Sequence, residues 1–128
     1  MTNEAFVSFE TAKLLDEAKA EFYDFMVYDD KGNFMPKGVY DDLGGTYKRF
    51  YAAPTLQVAM RWLREEYDIL VDIGYDDLDW FWNIISISDE VPVAERPKLI
   101  KLGTACHKSY EEACEDGIQY CLKELIDR

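Results

Sequence analysis

Three cysteines, one histidine and a run of aspartates are the residues of this chain whose types can do chemistry. Cys106 and His107 are adjacent, with Cys114 and Cys121 following, so zinc ligation and a thiol nucleophile are the first chemistries to weigh. A tetrahedral metal site needs ligands that converge on one point. Cys114 and Cys121 lie two helical turns apart, roughly 10 Å by the helical rise, too far to share a metal directly. Both fall in an apolar helical stripe, where cysteine behaves as a small hydrophobe. Adjacent Cys106 and His107 side chains diverge in a strand or loop, so the pair does not imply a nucleophile and its base. Core or incidental roles are expected for all four.

Asp72, Asp76, Asp77 and Asp79 supply the clustered oxygens a hard cation wants. Their spacing is not that of an EF-hand, which needs alternating ligands, a central glycine and a distant glutamate. An exposed acidic turn is the simpler reading. Paired carboxylates suited to acid–base catalysis arise by chance among 26 acidic residues. Gly44-Gly45-Thr46 lacks the spacing and the preceding strand of a phosphate loop. With one histidine and no nucleophile motif, catalysis has no positive support. The chain is read as a non-enzyme, with no metal and no cofactor.

Composition narrows the partners. The 128 residues fit one domain, 1–128. At 48% hydrophobic and 15% aromatic, the chain can bury a core despite its charge, which argues against disorder. Twenty-six acidic against 14 basic residues leave a formal charge of −12. Such a surface repels phosphate backbones and anionic membranes, so neither direct nucleic-acid nor membrane binding is expected, and a basic protein fits better. No apolar run approaches the ~18 residues of a membrane helix. The start, MTNEAFVSFE, lacks the basic-then-apolar layout of a signal peptide. An odd number of cysteines without CxxC favours reduced thiols. A cytoplasmic protein is expected.

The elements that must position these residues are legible from period and punctuation. Residues 54–87 are the centre. Pro54 suits a first helical position, and Leu56, Ala59, Met60, Leu63 and Tyr67 form one apolar stripe, widened by Trp62. Near Asp68 the period changes from about 3.6 to 2. Ile69, Val71, Ile73 and Tyr75 then alternate as in a half-buried strand. A short acidic turn, Asp76-Asp77-Leu78-Asp79, leads to a second strand at Trp80–Ile87. Before this unit, Ser8 caps a helix from about Phe9 to Lys19. A hairpin follows, turning at Asp30-Lys31-Gly32-Asn33, with Pro36 best placed at an edge. Residues 37–50 read as loop. After it, Lys98–Gly103 can add a third strand. Ser109-Tyr110-Glu111-Glu112 has capping-box spacing and opens a last helix with the stripe Tyr110, Cys114, Gly117, Ile118, Cys121 and Leu125.

The predicted class is α+β, a small antiparallel sheet with three helices in the order α-β-β-α-β-β-(β)-α, helices mainly on one face. The closing α-β-β-β-α resembles double-stranded RNA-binding domains in topology alone. Their last helix needs lysines for phosphates, whereas this one carries Glu111, Glu112, Glu115 and Asp116. In the aromatic strand, alternation puts Trp80 and Trp82 on one face and Phe81 on the other. If helices cover a single face, one set is left partly exposed and marks a partner site. Alternatively one set lies under the helices and the other under the N-terminal hairpin. The candidate partner surface is Tyr75, Asp76, Asp77, Asp79, Trp80 and Trp82.

FVSFETAKLL at 6–15, APTLQVAMRWLREEYDI at 53–69 and SYEEACEDGIQYCLKELI at 109–126 resemble a group of small uncharacterised proteins of gut Bacteroides and their phages or mobile elements. The three stretches cover about a third of the chain, and each is one of the predicted helices. The resemblance implies a bacterial, cytoplasmic setting and a phage or mobile-element origin, and it carries over no functional residue. Two readings of function stay open. One is a protein-interaction domain with an acidic surface. The other is an acidic nucleic-acid mimic that inhibits a DNA- or RNA-binding protein. An enzyme of unrecognised type ranks third.

Overall fold

Ser8 accepts a hydrogen bond from the Thr11 N–H and starts helix α1 (Phe9–Glu17), as its place before the apolar stripe predicts. The computed structural model describes residues 5–22, 26–44, 49–76, 79–87, 98–102 (by their backbone) and 106–127. Helix α1 ends two residues before Lys19. The Lys19 N–H bonds to the Asp16 carbonyl and the Ala20 N–H to that of Leu15, a Schellman motif that puts Lys19 at φ 63°.

The predicted hairpin is present as β1 (Met26–Asp29) and β2 (Phe34–Pro36), with Met26 opposite Pro36. Asp29 holds its turn by accepting from the N–H groups of Lys31 and Asn33. Pro36 lies on an edge strand, where its missing donor is harmless. The stretch 37–50, expected to be loop, instead contains helix α2 (Lys37–Asp42) and the start of strand β3 (Phe50–Ala52). Six residues of helix are too few to display a period. A Lys37–Asp41 ion pair at 2.6 Å and the buried Tyr40 ring hold them. Strand β3 adds to the free side of β1, giving the antiparallel order β2-β1-β3.

Helix α3 (Leu56–Tyr67) begins two residues later than a Pro54 start implies. Thr55 is the cap, its Oγ1 accepting from the Val58 N–H, and Pro54 precedes it. A hydroxyl at that place satisfies a helix donor that proline cannot. Leu56, Ala59, Met60 and Leu63 are buried as predicted, whereas Tyr67, at the last turn, is exposed and rests its ring against Trp62. Asp68 closes the helix in the left-handed region at φ 54°.

Strands β4 (Ile69–Asp76) and β5 (Asp79–Ser86) pair in full, from Ile69 opposite Ser86 to Asp76 opposite Asp79. Strand β6 (Lys98–Leu102) completes the antiparallel order β4-β5-β6, with a register shift between Ile84 and Ile85. The architecture is therefore α+β, as predicted, but with two three-stranded sheets in place of one. Helix α4 (Tyr110–Ile126) is capped by Ser109, which accepts from the Glu112 N–H. The reciprocal half of the capping box is displaced by one residue, since Glu112 accepts from the Lys108 N–H.

Helices α3 and α4 cover the face of β4 and β5 that carries Val71, Trp82 and Ile84. Helix α1 packs on α4 and β3, so α4 joins the two halves of one core. Gly117 permits the close approach: a Cβ there would lie 2.8 Å from a Val71 methyl. No helix among the described residues is long and apolar enough to cross a membrane.

Candidate interaction surface

The β4–β5 hairpin presents different chemistry on its two faces, because strand residues alternate. On the helix-covered face Tyr75 stands opposite Trp80, their ring centroids 4.9 Å apart. Trp80 meets Tyr110 at the start of α4 edge to face, at 5.5 Å. Tyr110 in turn accepts a 2.6 Å hydrogen bond from the Gln57 amide on α3. Three aromatic rings thus run from the hairpin end to the junction of α3 and α4. Tyr75 is 56% exposed, Trp80 half-buried. Trp82, one pair further in, is only 5% exposed, so it supports the surface from beneath and is not part of it.

On the opposite face Phe81 lies across Gly74, where a Cβ would come within 2.3 Å of its ring. Among the described residues the N-terminal hairpin belongs to the other sheet and packs chiefly with β3 and α2, not with β4 or β5. Phe81 is half-buried.

The acidic turn is placed only in part. Asp76 is exposed, Asp79 is partly exposed with Lys108 3.7 Å from its carboxylate, and Asp77 lies outside the described residues. Asp72 shares the Phe81 face further along the strand, opposite Asn83. Among the described residues no three His, Cys, Asp or Glu side chains form a group that could hold a metal ion.

The lone histidine has a more definite place than sequence reasoning assigned it. His107 pairs with Trp80 through two 2.8 Å backbone hydrogen bonds and so prolongs the sheet beyond β6. Its Nε2 lies 3.1 Å from Oδ2 of Asp116 on α4, and the same oxygen accepts from the Trp82 indole N–H at 2.7 Å. A carboxylate facing both groups makes Nε2–H the donor. A histidine oriented by a carboxylate is two thirds of a nucleophile–base–orienter set. No hydroxyl or thiol among the described residues bonds to its other nitrogen, and Cys106 is simply exposed. Cys114 and Cys121 are core residues, as expected. Burial pushes their thiols up to about 11 and about 12, which leaves neither as a thiolate near neutral pH.

Beside Tyr110, a groove of about 340 Å³ runs between α4 and the segment before α1. Phe6 and Leu56 form one wall and Glu111, Glu112, Glu115 and Asp116 the other. Glu115 is occupied: it accepts from the Ser8 N–H at 2.6 Å, from the Ser8 hydroxyl, and from the hydroxyl of the fully buried Thr11. Glu111 and Glu112 are exposed. Among the described residues neither Glu111 nor Glu112 forms an ion pair, so aromatic rings and free carboxylates sit side by side along one edge. Sequence spacing could not connect Asp116 with Trp82, or Glu115 with Ser8, because those contacts span 34 and 107 residues.

Comparison with known protein families, with curated proteins and with solved structures finds no match.

Proposed function

We propose that this chain is a non-enzymatic interaction domain that binds a basic protein along the edge running from Tyr75 to Glu112. What carries the reading is the exposed Tyr75 ring, continuous through Trp80 and Tyr110 toward Glu111 and Glu112, with Asp76 and Asp79 flanking it at the hairpin end on the opposite face. Arginine suits such an edge. Its guanidinium stacks on an aromatic face, about 0.5–1 kcal/mol at an exposed site, and its fork matches a carboxylate. The charge of −12 speeds encounter with a basic partner and turns phosphate backbones away. The nucleic-acid mimic is a special case of this edge in which charge alone does the binding.

The test is capture from nuclease-treated lysate of the source organism, eluted with salt, comparing wild type with three variants. A basic partner retained by wild type and by Asp72→Asn, but held about tenfold less by Tyr75→Ala, supports the proposed edge. Loss on Asp76→Asn/Asp79→Asn but not on Tyr75→Ala, with release at moderate salt, favours the mimic. Equal capture by all variants, or no basic partner, rejects the surface.

A further inference from the structure

The segment Ala5–Val7 is tied to the start of α3 by a two-way backbone pairing. The Val7 N–H bonds to the Pro54 carbonyl and the Leu56 N–H to that of Ala5, both at 2.9 Å, with Phe6 opposite Thr55. Extended residues alternate sides, so the fully buried Val7 turns Phe6 outward, where it is 38% exposed. Its ring is nonetheless held. It lies against Phe34, centroids 5.2 Å apart, and Phe34 lies at the same distance from Tyr28. Phe34 is itself 42% exposed. Two phenylalanines in contact and both open to water form an apolar patch of the kind that marks a contact surface.

Phe6 leads into the groove beside Tyr110 and, with Ala5 and Leu56, makes its apolar wall. The facing wall is α4, and no residue lining either wall is basic. The walls are fixed relative to one another, because Glu115 ties α4 to Ser8 at the head of α1. Glu115 and Asp116 are engaged with Ser8 and with the Trp82 indole, whereas Glu111 and Glu112 stand exposed at the rim. At about 340 Å³ the groove is at the small end of ligand pockets, which run from about 300 to 1,000 Å³. It suits a large side chain better than a cofactor. An anion, whether a lipid headgroup or a nucleic acid, meets four carboxylates there. A second copy of this chain brings its own charge of −12 to the same rim and is repelled. A neutral apolar molecule makes no use of the rim. What complements both walls is an apolar side chain flanked by cations.

We propose that this groove anchors a peptide segment of a basic protein, with one large apolar side chain against Phe6 and Leu56 and flanking arginines or lysines on Glu111 and Glu112. The inference rests on the reading of the Tyr75–Glu112 edge as a site for a basic protein, and it adds what that protein must carry: an apolar residue between cations. The anchor supplies affinity by leaving water, and the charges supply orientation and fast encounter. Because the walls are already fixed, little is lost to ordering the groove when the segment binds.

The experiment titrates the ¹⁵N-labelled chain with three blocked pentapeptides and follows amide shifts. The first has two arginines on each side of a central leucine, the second has glycine at the centre, and the third keeps the leucine between glutamates. The leucine–arginine peptide should give saturable shifts at residues 5–7, 56 and 111–119. It should bind about tenfold or more tightly than the glycine peptide, as burial of a leucine side chain requires. The glutamate peptide should not bind. Phe6→Ser should abolish the advantage of leucine over glycine, and the segment is still held by its backbone bonds. Glu111→Gln/Glu112→Gln, on the exposed start of α4, should weaken both arginine peptides alike and preserve that advantage. Leucine-dependent shifts elsewhere, or an advantage undiminished by Phe6→Ser, overturns the proposal. Equal binding of the leucine and glycine peptides, with shifts along Tyr75, Trp80 and Tyr110, overturns the groove and leaves the edge standing. Binding by neither arginine peptide counts against groove and edge together.

Discussion

Replacing Glu115 by alanine should destabilise the protein, although composition alone argues the reverse. The chain carries a charge of −12, so removing one acid relieves self-repulsion, and alanine is the better helix former. The structure opposes both effects with three hydrogen bonds that Glu115 accepts at the start of α1. Hydrogen bonds to a charged acceptor contribute about 1.5–3 kcal/mol each, but they are not additive here. The Ser8 N–H is half-buried and recovers some bonding from water. The Thr11 hydroxyl is fully buried; it still accepts from the Gln119 amide but loses its charged acceptor, with Ser8 Oγ, 3.1 Å away, left as a weaker one. One well-made bond and part of another give a net loss of about 2–3 kcal/mol. For a chain of this length that corresponds to a fall in Tm of roughly 6–15 °C. Urea unfolding followed by circular dichroism measures it, with the exposed Glu111→Ala as control. The double variant Glu115→Ala/Thr11→Val adds a sharper check, because valine removes the buried hydroxyl that has lost its carboxylate partner. Its loss should be smaller than the sum of the single losses by about 1 kcal/mol or more. A Glu115→Ala chain as stable as Glu111→Ala would refute the cap.

Lys19→Gly should stabilise the protein by about 0.5–1 kcal/mol, since Lys19 is exposed and held at φ 63° in the Schellman turn; an unchanged urea midpoint would contradict that geometry. Gly117→Ala should lose about 1 kcal/mol instead of gaining the usual helix propensity, because its Cβ meets the stiff, buried Val71 at 2.8 Å. Thermal unfolding gives the sign directly. Under native conditions iodoacetamide should label Cys106, which is exposed, and spare Cys114 and Cys121 until the chain unfolds, as mass spectrometry of digested protein would reveal. Those two buried thiols also set an alkaline limit. Their ordinary value is 9.0, and in the fold they rise to about 11 and about 12. Above pH 9 the unfolded chain therefore binds fewer protons than the native one. Stability contributed by the neutral thiols is complete below pH 9 and falls as pH rises toward 11 and 12. Tyr28 and Tyr110, also raised by burial, act in the same direction. A urea midpoint that holds steady from pH 8 to 11 would count against burial of these groups.

The sequence by itself determined what depends on neighbours within about four residues. The caps at Ser8 and Ser109, the stripe from Leu56 to Leu63, the turn at Asp30–Asn33 and the alternation through Val71 and Ile73 all express local geometry, and all recur in the structure. A cap or a period is written into adjacent side chains because a helix or strand repeats every few residues. Tertiary structure decided everything that joins distant segments. It placed the N-terminal hairpin in a second sheet with β3, and it set His107 beside Trp80. Asp116 became the shared acceptor for His107 and Trp82, and Glu115 the cap of a helix over a hundred residues away. In sequence, those two acids are indistinguishable from Glu111 and Glu112. What separates them is which turn of α4 faces the core, and that follows from how α4 settles over Gly117 onto the sheet. Side chains of one type thus become anchor or surface by packing. The candidate edge divides the same way: its acidic turn and aromatic strand are legible locally, whereas burying Trp82 and leaving Tyr75 exposed required the helix to be in place.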